Sequence, residues 1–106
     1  MSRFSYAWEK LHIAVHALAG WGDPYSRMEA AAISIHTLDE KQFPEELQEE
    51  WKQLWNDLTS VDAKGDEGRV RATIKTFDEI SFGQMADRII SLYDSICRKR
   101  IILEQN

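Results

Sequence analysis

A chain of 106 residues, 43% apolar and 29% charged, is sized and composed for one folded domain rather than a disordered segment. Its formal net charge of -5 opposes a broad nucleic-acid or anionic-membrane footprint, since a phosphate surface would repel the molecule as a whole. One cysteine, Cys97, permits no internal disulfide, and no stretch approaches the roughly 20 apolar residues of a membrane span.

The N-terminal stretch MSRFSYAWEKLH meets Glu9, Lys10 and His12 too early for a secretory leader, so a cytoplasmic protein is expected. Phe4, Trp8, Leu11, Val15 and Leu18 then recur at steps of three and four, the stripe of a helix over about 3–19. Gly20 stands where a left-handed C-terminal residue is wanted, and Asp23-Pro24 reads as an N-cap followed by the first helical residue. A second helix, about 24–38, carries Met28, Ala31, Ala32, Ile35 and Leu38 on one side. Pro44 opens a third, about 44–60, with Phe43 placed to staple against Leu47. Its Leu47, Trp51, Leu54, Leu58 and Val61 alternate steps of four and three, a bundle seam.

The polar, glycine-bearing DAKGDEG, residues 62–68, is a linker. Val70, Ile74 and Phe77 mark a short fourth helix, about 68–77. Ser81 with Gln84 fits a capping box for a fifth, about 82–100, carried by Phe82, Met85, Ala86, Ile89, Tyr93 and Ile96. The expectation is an all-α single domain, 1–106, folded as an up-and-down bundle of four to five antiparallel helices.

Three functions compete for this frame. The first is metal binding. His12 and His16 lie one helical turn apart, the spacing by which two imidazoles share a divalent ion. If the first two helices form a tight hairpin, Glu29 comes level with the gap between them. His36 instead falls five residues from His12, about 7.5 Å along the axis. The candidate ligand set is therefore His12, His16 and Glu29, and no other cofactor is expected. No HExxH motif or cysteine pair supports it.

The second is DNA binding by residues 69–100, whose helix-turn-helix rhythm offers Arg69, Arg71, Lys75 and Arg88 to phosphate. Asp87 and Asp94 on the same outer face oppose it. Catalysis finds less still: Cys97 precedes Arg98, Lys99 and Arg100 but has no histidine near it in sequence, and no triad or paired-acid signature is present.

The third is protein interaction. Ile13 and Ile33 point away from the stripes of their helices, Trp21 sits in a loop, and Trp55 lies at the shoulder of its seam. Ile101 and Ile102 follow the point where bundle packing should end. Apolar side chains that converge outside the core mark a binding surface. The expected function is a small non-enzymatic interaction or regulatory module that binds a protein partner or a second copy of itself. No nucleic acid and no membrane is expected as a partner.

Overall fold

The computed structural model describes residues 4–65 and 68–105, with side-chain surroundings as far as Lys99. Five α-helices follow in order: α1 (Ser5–Leu18), α2 (Pro24–Ile35), α3 (Glu45–Leu58), α4 (Gly68–Ile74) and α5 (Glu79–Gln105), with one 3-10 turn at Glu40–Gln42. Among the described residues there is no strand. Among the described residues no helix is long and apolar enough to cross a membrane.

Several starts have a visible cause. The Asp23 carboxylate accepts the Ser26 backbone N–H at 2.9 Å, and Pro24 supplies the first turn of α2 with a ring that has no N–H to satisfy. Asp39 and Gln42 cap each other's backbone around the 3-10 turn, a reciprocal box that the sequence reading does not anticipate. Pro44 is the N-cap of α3 rather than its first residue, and Glu45 and Glu46 place negative charge at the positive end of that helix.

Two expected signals fall on the wrong residue. The left-handed glycine between α1 and α2 is Gly22, with φ at +106°; Gly20 is not in that region, because α1 closes through a tight bond from the Gly20 N–H to the Ala17 carbonyl. The cap of α5 is Asp78, whose carboxylate takes the Ser81 N–H at 2.7 Å. The helix therefore begins at Glu79, and Ser81 is inside its first turn.

Directions follow from contacts across the seams. Trp8 meets Cys97 and His12 meets Tyr93, so four residues up α1 correspond to four down α5: the pair is antiparallel. Glu46 pairs with Lys99 and Asp57 with Arg88, which makes α3 and α5 antiparallel as well. The Tyr6–Thr37 bond at 2.8 Å closes the α1–α2 hairpin in the expected register. α5 thus runs between α1 and α3 as their common neighbour.

The core is the set of stripes turned inward. Leu11, Ala14, Met28, Ala31, Ile35, Leu54, Leu58, Ile89, Leu92 and Ile96 are sealed from solvent. Alanines at 7, 14, 31 and 32 keep the α1–α2 contact close. Phe43, Trp51 and Trp55 stack along α3 with ring centroids 5.3 and 5.6 Å apart. Thr73 is the buried polar exception; its hydroxyl accepts the Val61 N–H at 3.0 Å and fixes the linker against α4.

Candidate interaction site

The metal reading loses its third ligand. Glu29 sits at the expected level, but its carboxylate takes the Arg71 guanidinium of α4 at 2.8 Å. Among the described residues no three histidine, cysteine, aspartate or glutamate side chains converge. His12 and His16 do come together, with ring centroids 4.4 Å apart. His12 is engaged otherwise: its Nδ1 shares a hydrogen bond with the Tyr93 hydroxyl at 2.9 Å, and its ring stacks on Trp8 at 5.1 Å. The Trp8 indole N–H in turn donates to the Cys97 sulfur at 3.2 Å. The α1–α5 seam is thus an aromatic ladder whose named polar atoms answer one another.

Three of the cations that a nucleic acid would need are met within the chain. Arg69 pairs with Asp62, Arg71 with Glu29 and Arg88 with Asp57, at 3.3, 2.8 and 2.9 Å. α4 covers seven residues and α5 twenty-seven, against the expected spans of about 68–77 and 82–100.

The apolar candidates separate into three groups. Ile13, Ile33 and Trp21 are exposed, at 44, 55 and 99%. Trp55 is not: it is half-buried against the core and stacked on Trp51, so the shoulder of α3 is covered. Ile101 and Ile102 lie on the backbone of α5, and their side chains are outside the described residues. Ile33 lies one turn beyond Glu29 on α2, Ile13 lies two turns beyond Tyr6 on α1, and Trp21 lies in the loop between the two helices.

A concave apolar surface forms elsewhere, where α2, α4 and α5 meet. Pro24, Tyr25, Ile74, Phe77 and Phe82 line a cleft of about 550 Å³. That volume lies inside the range of roughly 300–1,000 Å³ typical of ligand pockets. Lys75, Asp78 and Glu79 complete its edge. Ile80, 71% exposed, stands beside Glu79, and Trp21 is three residues before Pro24, within about 11 Å of chain.

Local structure explains why the cleft stays open. Capping by Asp23 and Asp78 starts α2 and α5 beside it. Arg27 bridges them, donating to the Leu18 carbonyl at 2.8 Å while its guanidinium lies 5.5 Å from the centre of the Phe82 ring. The backbone N–H of Ser26, then its hydroxyl, hold the Asp23 carboxyl below its ordinary value. Ser81 does the same for Asp78, so both carboxyls are ionised at neutral pH.

Sequence reasoning assigned Phe77 and Phe82 to helix seams and passed over Tyr25 and Ile80. The available signal was TFDEISF, residues 76–82, which places three large apolar residues around a helix-to-helix turn where polar ones are usual. The fold and this corner define the chain as an all-α bundle with an apolar surface cleft. No protein-family model, curated protein or solved structure matches it.

Proposed function

We propose that this chain is a small, non-enzymatic protein-interaction module of the cytoplasm, which docks an apolar protein segment at the corner of α2, α4 and α5. The observation that supports this reading most is the open cleft lined by Pro24, Tyr25, Ile74, Phe77 and Phe82, with exposed Ile80 next in sequence to Glu79 of its edge. An apolar wall with a thin charged edge is the anatomy of an interface centre and its rim.

A photo-crosslinking side chain placed at position 80 tests this, with the same group at exposed Gln53 on α3 as the control. Expressed in its native cell, the chain should form discrete protein adducts from position 80 and none in common from position 53. Equal adduct patterns from the two positions would remove the corner as a docking site.

A further inference from the structure

We infer that the occupant of the cleft is Trp21 of a second copy of this chain, exchanged reciprocally across a two-fold axis. The inference rests on the reading of the corner as a docking surface and names what fills it. A side chain that is 99% exposed touches essentially nothing of its own molecule, and tryptophan is the residue whose burial contributes most to an interface. The same chain carries, three residues on, the start of an apolar recess large enough to take an indole. Knob and hole on one patch are what an isologous contact requires, because each copy then offers both halves to the other.

Area and charge agree with a second copy. Each tryptophan removes up to about 250 Å² from water, and the wall it covers a comparable amount. Two insertions bury on the order of 1,000 Å² in total, the lower bound for a specific interface. The edge carries both signs, Lys75 with Asp78 and Glu79, so a two-fold contact can set unlike charges across from each other rather than like. The net charge of -5 still opposes pairing at a distance. The dimer is therefore weak and tightens with salt.

Sedimentation of the full chain from about 1 µM to about 1 mM tests this, a span chosen because interfaces near the size bound have micromolar or weaker dissociation constants. The expected result is a monomer–dimer equilibrium that Trp21→Ala weakens by at least about 30-fold, the usual size of a hot-spot loss. Ile80→Glu, which adds a carboxylate next to Glu79 of the edge but suits the first turn of a helix, should weaken it too while leaving the fold intact. Reciprocity has its own signature. A mixture of the two variants restores one knob in one hole, so it should associate more tightly than either variant alone.

A strict monomer at every concentration overturns the inference, as does a dimer indifferent to Trp21→Ala. A monomer whose Trp21 emission is already that of a buried indole also overturns it, since the ring would then fill its own cleft. A monomer that nevertheless gives position-80 adducts with another protein overturns the second copy as occupant and leaves the docking corner standing.

Discussion

The α1–α5 seam and the α2–α4–α5 corner are both built from aromatic side chains, yet one is closed and the other open. In the seam, Trp8, His12, Tyr93 and Cys97 face one another across two antiparallel helices, and each named polar atom meets its counterpart. At the corner, Tyr25, Phe77 and Phe82 come from three separate turns or helix ends, with Arg27 as the strap between α2 and α5. Long parallel surfaces can interdigitate along their length; helix ends meeting at an angle leave a wedge. Closure here is a matter of how the elements meet rather than of how apolar they are.

Substitutions can break or sharpen that contrast. The largest effect is expected in the core behind the seam, where Leu92→Ala removes a side chain with no exposure. It should cost about 2–5 kcal/mol in urea unfolding, whereas Ile80→Ala at the corner should stay within roughly 0.5 kcal/mol. Comparable losses at both would mean that the corner is packed after all. Thr73→Val comes next, since it strands the Val61 N–H beside a threonine only 1% exposed. A loss of about 1–3 kcal/mol is expected, read from the shift in urea midpoint.

Tyr93→Phe deletes the partner of His12 in a half-buried site that water can reach. It should cost about 0.5–1.5 kcal/mol, and a neutral result would show that the seam is held by ring packing alone. The smallest change follows acidification. Asp23 and Asp78 titrate lower in the folded chain than in the unfolded one, so their stabilising share is complete above the ordinary value of 3.8. It is lost as pH falls through their folded values. The amide protons of Ser26 and Ser81 should lose protection from exchange in that window in the wild type. In a double Asp23→Asn, Asp78→Asn variant, which keeps the caps without the charge, the onset should be flat.

How much of this was legible in the sequence varies with the range of the determinant. The number and order of helices follow from local spacing, and so does the inward set, from Leu11 to Ile96. The hairpin register was readable too, because the short connection at Gly20–Asp23 leaves little choice; Tyr6 meeting Thr37 is its consequence. Boundaries slipped where two capping residues competed. Asp78 outbid Ser81 because a carboxylate is the stronger acceptor and stood three residues earlier. The aim of the Glu29 side chain was beyond reach, since Arg71 lies 42 residues away and only the placement of α4 brings them together. The same holds for the cleft, whose lining runs from Pro24 to Phe82 across three helices. Trp55 misled for a different reason, since the ring that covers it lies only one turn away on the same helix. A shoulder position is exposed only when no neighbour stacks on it, and Trp51 does.

One long helix takes part in both the seam and the corner. α5 gives Phe82 to the cleft, Tyr93 and Cys97 to the ladder, and Arg88 and Lys99 to the ion pairs with α3. At 1.5 Å per residue its twenty-seven residues make a rod about 40 Å long. The molecule consequently has no seam along which it could come apart in halves, because both flanks hang on the same mast. Its melting should be a single step, with calorimetric and van't Hoff enthalpies in agreement.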